Sequence, residues 1–598
     1  PLSFAQERLW FIEQYEGGSN AYHIPMLVSL KEGVNEEALK QSILSIVSRH
    51  EVLRSVFRQD NEGNDYQVVL NDSLVINEYS YKDIGISKQI DKDINTPFDL
   101  TKDYPIRVSL YKEESDIKLL INMHHIASDG WSIDVLIKEL YAYYDHYTKN
   151  TPLTLSELSI QYKDFAVWQR EYLEGDVLDK QLDYWRGRLR GYETLNLPID
   201  YVRPSKIDYA GSSVEFEIDE ELSNKLRDIA KNQNCSLYTV MLSAFYVLMH
   251  KYTLQEDIVI GTPIANRHHS QVQDLIGFFV NSLALREQVD GNEDILELVN
   301  RVHSNLIEAQ SHQDLPFERL VSELNVEQDL SRHPIFQVMF SLQSFGGQDN
   351  KIFKPVLDNN AYKIAKFDLE CFIDDSKANL SGVINYATAL YSRDTIERLV
   401  ESYKMVLSQL VTNTGTKIKY YSLLSREEYQ TIVHDWNQTD KDYPKDKTIY
   451  QLFEEQVKQN PNNIALVFED KQLTYKELNQ RSNQLARYIR KQYKEITNQE
   501  LKPDTLIPLC LERSLEMVIG ILGVMKAGGA YVPMDPDYPK ERFRHILKDT
   551  NAELVITQSY LENRLNDTSD IKTIAIDEQN SQTIYQSEED RQRIRLNT

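Results

Sequence analysis

The residues best suited to chemistry stand together in Met123-His124-His125-Ile126-Ala127-Ser128-Asp129-Gly130-Trp131-Ser132. Histidine titrates near neutral pH, so either His124 or His125 could take a proton from an attacking nucleophile. Asp129 is better suited to holding the loop than to moving a proton, because a partly buried carboxylate needs a cation or hydrogen-bond donors around it. Gly130 lets the backbone turn tightly or come close to a substrate. On these residues alone two plainer readings stay open: ordinary loop histidines followed by a turn, or a metal site. Against the latter, no Cys, His and carboxylate set stands at zinc spacing.

The flanking pattern predicts how the loop is held. Residues 106–111 and 117–123 read as two strands of a hairpin around the polar turn 113–116. After the loop a helix is expected, with Ser132 as its cap and Ile133, Leu136, Leu140 and Tyr144 on one face. The two histidines would then sit at a strand-to-helix corner, from which side chains project into a cleft. Earlier, Asn35 reads as a helix cap with Glu36 and Glu37 in the first turn and Leu39, Ile43, Ile46 and Val47 as the buried stripe.

Beyond residues 425–447, a polar stretch expected to be a linker, the pattern alternates. Strands are predicted at 464–468, 506–511, 530–532 and 554–557, with helices at 450–459, 475–490 and 515–526 and another starting near Pro539. Alternation of this kind implies crossover units on a parallel sheet.

Composition narrows the classes. The 598 residues are 41% hydrophobic and 26% charged, which is globular rather than disordered, and three to five domains fit. Lys plus Arg number 66 against 92 Asp plus Glu, a net charge of −26, which argues against nucleic-acid and anionic-membrane partners. Cys235, Cys371 and Cys510 are far apart, with no CxxC pair, as suits a reducing cytoplasm. Neither a GxSxG elbow nor a GxxxxGK[ST] phosphate loop occurs; Thr414-Gly415-Thr416-Lys417 lacks the leading glycine. The apolar stretch 517–534 is broken by Lys526 and glycines, too interrupted to span a bilayer. A start at Pro1 suggests a piece of a longer polypeptide.

The stretch 124–130 fits HHxxxDG and resembles the condensation domains of nonribosomal peptide synthetases, relatives of chloramphenicol acetyltransferase. Further motifs agree in order: Ser3-Phe4-Ala5-Gln6-Glu7-Arg8-Leu9-Trp10, Arg49-His50-Glu51-Val52-Leu53-Arg54-Ser55-Val56-Phe57, and Tyr162-Lys163-Asp164-Phe165-Ala166-Val167-Trp168. The second half adds Ile260-Gly261-Thr262-Pro263, Asn266-Arg267, Ile276-Gly277-Phe278-Phe279-Val280-Asn281, His312-Gln313-Asp314-Leu315-Pro316-Phe317-Glu318 and Pro334-Ile335-Phe336-Gln337-Val338-Met339-Phe340. Two later motifs, Leu473-Thr474-Tyr475-Lys476-Glu477-Leu478 and the run from Met525 to Asp535, resemble the start of an adenylation domain.

The resemblance implies an α/β fold of two chloramphenicol acetyltransferase-like lobes in a V-shaped pseudo-dimer, residues 1–175 and 176–424. After the linker 425–447 comes a truncated adenylation region, 448–598, not expected to activate an amino acid by itself. It implies His125 as the catalytic residue, with His124, Asp129 and Gly130 structural and Arg267 the candidate partner of Asp129. Trp131 and Phe278-Phe279 read as packing residues. No cofactor or metal would bind directly. Substrates would arrive on 4'-phosphopantetheine arms of upstream and downstream carrier domains of a parent synthetase, and ATP with Mg would serve only a complete adenylation domain. The expected reaction is peptide-bond formation, with an L-donor and an L-acceptor as the subtype. Two rivals are a related thioester-dependent acyltransferase and a non-catalytic carrier-docking module.

Overall fold

The computed structural model describes residues 1–16, 20–80, 85–113, 116–324, 326, 329–343, 351–355, 364–566 and 571–577. The chain divides into two compact units, Pro1–Trp436 and Asn437–Thr598.

The first unit holds two large sheets. One runs in the order Phe353–Pro355, His23–Leu30, Ile117–His124, Ile106–Lys112, Ile76–Ser80. Ile106–Lys112 and Ile117–His124 pair antiparallel, the hairpin that alternation at 106–123 predicts; its turn residues 114 and 115 lie outside the described residues. The second sheet runs Gly211–Ile218, Leu380–Ala387, Leu369–Asp374, Val338–Gln343, Asp257–Ile264, Asn281–Gln288. Helix Glu36–Arg49 packs on the first sheet, capped by Asn35, whose side chain accepts from the Ala38 N–H.

The chain does not part cleanly at residue 175. Strand Phe353–Pro355 returns to the first sheet, antiparallel to His23–Leu30, with Leu30 opposite Phe353. Val272, Leu275, Ile276 and Phe279 likewise lie in the first sheet's core, beside Ile121, Met123 and Leu136. A strand edge and an apolar strap therefore tie the two halves together.

The segment expected to be a linker opens with helix Arg426–Tyr429, capped by Ser425, and a π-helical turn Gln430–Asp435 that belongs to the first unit. In the second unit Gly529–Met534, Thr505–Cys510, Leu554–Thr557 and Lys572–Ala575 form a parallel sheet in that order. One strand departs from expectation. Ile464–Phe468 pairs antiparallel with Lys471–Thr474 in a separate hairpin, because the left-handed backbone of Glu469 turns the chain straight back. Among the described residues no helix is long and apolar enough to cross a membrane.

Candidate functional site

Strand Ile117–His124 ends at His124, and His125–Ala127 forms one tight helical turn before helix Gly130–Lys149. The cap of that helix is Asp129 rather than Ser132, so the helix starts earlier than expected. Both residues are good caps; Asp129 takes the position because its carboxylate also serves partners elsewhere in the fold.

Asp129 is fully buried and receives a donor on every side. Its Oδ1 accepts from the Ser132 N–H at 2.8 Å, the Ser132 hydroxyl at 2.7 Å and Arg267 Nη2 at 3.1 Å. Its Oδ2 accepts from the Phe279 N–H at 3.0 Å. Arg267 reaches Asp129 from 138 residues away and also donates from Nη1 to the carbonyls of Val272, at 2.7 Å, and Leu275, at 2.6 Å. Its guanidinium carbon sits 4.1 Å from the centre of the Phe279 ring. Burial pulls the Arg267 pKa down, and the Asp129 charge opposes that pull. A buried ion pair needs this density of further hydrogen bonds to offset its desolvation.

The strap Ile276–Gly277–Phe278–Phe279 is gripped at each residue by motif side chains of the first half. The Ile276 N–H donates to His50 Nδ1 at 3.3 Å, and the Gly277 N–H to the Ser132 hydroxyl at 3.0 Å. Tyr162 donates its hydroxyl to the Phe278 carbonyl at 2.6 Å. A Cβ on Gly277 would lie 2.0 Å from the Tyr162 ring, so glycine is required there for close approach. His50 Nε2 bonds Glu139 on the site helix at 2.9 Å, and Arg49 Nε donates to the same carboxylate at 2.9 Å. Because His50 Nδ1 accepts, its Nε2 carries the proton. Trp131 is half exposed and donates to the Gln273 carbonyl at 3.0 Å, anchoring the strap from outside.

The two histidines are treated differently. His124 is fully buried; its Nδ1 accepts from the Ile126 N–H at 3.1 Å, so its Nε2–H faces Glu13 Oε1 at 3.1 Å. Burial lowers its pKa. His23 stands opposite His124 in the sheet and bonds the Ile94 carbonyl at 2.7 Å, its pKa lowered by burial to about 4. His125 keeps part of its surface accessible. Its backbone N–H donates to the Tyr22 carbonyl at 2.8 Å, which fixes the residue without using the ring. The ring packs T-shaped against Phe278 at 5.7 Å between centroids, while its Nδ1 is buried with no hydrogen-bond partner among the described residues. Burial, then the positive charge of Lys366, then His124 hold the His125 pKa well below its usual value. The imidazole is therefore neutral at physiological pH and able to accept a proton.

Gly130 has no left-handed backbone, and a Cβ there would meet nothing within 4 Å, so the fold makes no use of its turning freedom. The motifs do not point to Glu13, Tyr22 or Lys366, nor to Ser132 as a hub. Phe278, expected to be packing, stands directly against the His125 ring.

The fold is shared with solved nonribosomal peptide synthetase structures. The chain superposes on holo-AB3403, a four-domain nonribosomal peptide synthetase bound to AMP and glycine, with a TM-score of 0.73 and 23% identity, covering 98% of this chain and 45% of that one. The X-domain from teicoplanin biosynthesis matches with a TM-score of 0.64 and 24% identity, over 71% of this chain and 97% of that one. The chain belongs to the condensation-domain family, which matches residues 1–433, and the AMP-binding enzyme family matches residues 453–596. It is 38% identical over 578 residues to gramicidin S synthase 2 of Aneurinibacillus migulanus, covering 96% of this chain and 13% of that protein. It is 38% identical over 562 residues to tyrocidine synthase 3 of Brevibacillus parabrevis, covering 93% of this chain and 8% of that protein. The chain thus spans only a small fraction of the curated relatives it matches.

Proposed function

We propose that the Pro1–Trp436 unit joins two carrier-bound substrates by a peptide bond. The donor is an aminoacyl or peptidyl thioester on the phosphopantetheine arm of an upstream carrier. The acceptor is the α-amine of an amino acid on a downstream carrier. The amine nitrogen attacks the thioester carbonyl, the C–N bond forms, the C–S bond breaks, and the amine's proton ends on the departing thiolate. In this reading His125 takes that proton during attack and returns it to sulfur.

The observation that carries the reading is the state of His125. It is a neutral imidazole, partly accessible, fixed through its backbone and left free of side-chain partners at Nδ1 among the described residues. The neutral amine that attacks becomes a positively charged nitrogen as the C–N bond forms, so a neutral base at the site is needed to take its proton. His124, Asp129 and Arg267 serve as positioning residues that hold the loop, and Gly130 leaves its helix start open to a passing substrate arm. The opening motif and the run Asp129-Gly130-Trp131-Ser132 support an L-configured donor and an L-acceptor.

The test is single-turnover dipeptide formation on preloaded carriers, wild type beside His125→Ala. Product from wild type alone supports the reading, and product at equal yield from both overturns the role of His125. A parallel D-donor trial decides the subtype.

A further inference from the structure

The charged groups around the His125 loop are unevenly paired. Arg8, on helix Phe4–Glu16, is bound to Glu318 at 2.7 Å. Lys366, which approaches from the second half of the chain, has no ion pair among the described residues. Its Nζ instead sits 5.3 Å from the centre of the Tyr22 ring. Tyr22 is the residue whose carbonyl holds the His125 N–H at 2.8 Å, and its ring lies 6.5 Å from that of His124.

The backbone carrying Lys366 is pinned on both sides. Ala365 N–H donates to the Tyr209 carbonyl at 3.0 Å, and Asp368 N–H to the Gln337 carbonyl at 3.0 Å. Asp368 is further clasped by Arg203, whose Nη1 lies 3.0 Å from Oδ1. The ammonium is thus delivered to Tyr22 by a fixed segment. We propose that Lys366 is a positioning residue of the condensation site: an ammonium ion that, seated on Tyr22 beside the His125 loop, repels positive charge from the reacting centre.

This role rests on the condensation reading and deepens it. Two groups at the centre must be uncharged for the amine to attack: the imidazole that receives the proton and the amine that gives it. A cation nearby disfavours the protonated form of both. The carboxylate of Glu13 lies against the loop, where it takes the His124 Nε2–H at 3.1 Å. Glu370, on the adjoining strand Leu369–Asp374, has its carboxyl pushed up by burial to about 7, so it is a weak counter-ion. Arg8 adds positive charge, and His124 and His125 are neutral imidazoles. Burial, with Arg8 acting in the same direction and Glu370 against it, brings Lys366 itself down to about 8, so it stays largely charged at neutral pH. Among the described residues Lys366 forms no ion pair, and the nearby carboxylates Glu13 and Glu318 are bonded to His124 and Arg8.

Removing the cation raises the His125 pKa, so the imidazole becomes protonated, and idle as a base, at a higher pH than in wild type. The experiment follows the His125 ring in the 598-residue chain by NMR of labelled histidine, its signal assigned by loss in His125→Ala. It compares wild type, K366M and K366R, alongside the pH profile of single-turnover condensation. In K366M the His125 midpoint is expected to rise by about one unit, and the acid limb of the rate profile with it, about a tenfold loss on that limb. K366R should keep both near wild type. An unmoved midpoint in K366M overturns the proposal, as does an equal movement in K366R, which would mean shape rather than charge. Should K366M not fold, K366Q carries the same comparison. The NMR readout needs no product, so absence of product from wild type would count against the condensation reading and leave this one to be judged separately.

Discussion

Asp129 and His125 lie one helical turn apart on the same loop, and the fold treats them oppositely. The carboxylate has an amide, a hydroxyl and an arginine on one oxygen and a second amide on the other. The imidazole has a buried nitrogen with no partner among the described residues, and its ring packs against that of Phe278. An unmade buried hydrogen bond costs about 1–3 kcal/mol, so a fold that saturates one group and starves its neighbour has not done so for stability. Saturation marks the residue that holds the loop, and the unused hydrogen-bonding capacity marks the residue kept for a reactant.

Four substitutions would break or sharpen that contrast. The largest effect is expected from His125→Ala: single-turnover yield should fall by about 10²–10⁴-fold, the range for a lost general base. Its melting temperature should stay close to wild type, since the ring's Nδ1 makes no hydrogen bond among the described residues. A large drop in melting temperature would place His125 with the holders. Asp129→Ala comes next, because it strands Arg267 in the interior without its anion. A loss of about 3–5 kcal/mol by denaturant unfolding is expected, with activity falling in step; unchanged stability with lost activity would move Asp129 to a direct chemical role.

Gly277→Ala drives a methyl into the Tyr162 ring and should cost about 1–3 kcal/mol through overpacking. Combined with Tyr162→Ala in a double-mutant cycle, most of that penalty should disappear. Gly130→Ala is expected to do least, within about 0.5 kcal/mol, as for an unobstructed surface position. A sharp drop in condensation at unchanged stability would then report the passage of substrate over that helix start.

The sequence makes legible what is local. The hairpin at 106–123, the Asn35 cap and the parallel sheet of the second unit follow from periods and caps contained within a few residues. The expected helix start falls late because Asp and Ser are nearly equal caps, and the decision between Ser132 and Asp129 belongs to Arg267 and Phe279 from the second half. Ile464–Phe468 has the pattern of a sheet strand because alternation does not tell a hairpin arm from a crossover strand. The site partners are legible only through family resemblance or not at all. Nothing in the spacing joins Glu13 to His124, Glu139 to His50 or Lys366 to Tyr22, since each pair is made by the tertiary fold.

The strand Phe353–Pro355 has a practical consequence for anyone recombining such chains. A hybrid spliced near residue 175 would take the sheet containing His23–Leu30 from one parent and the strand that completes its border from another. Any mismatch in that short seam would leave open backbone donors and acceptors, an invitation to aggregation. The strap at 276–279, with its glycine fitted to one particular tyrosine ring, adds a second lock-and-key demand on the same splice. Residues 1–436 are therefore the smallest piece worth transplanting whole.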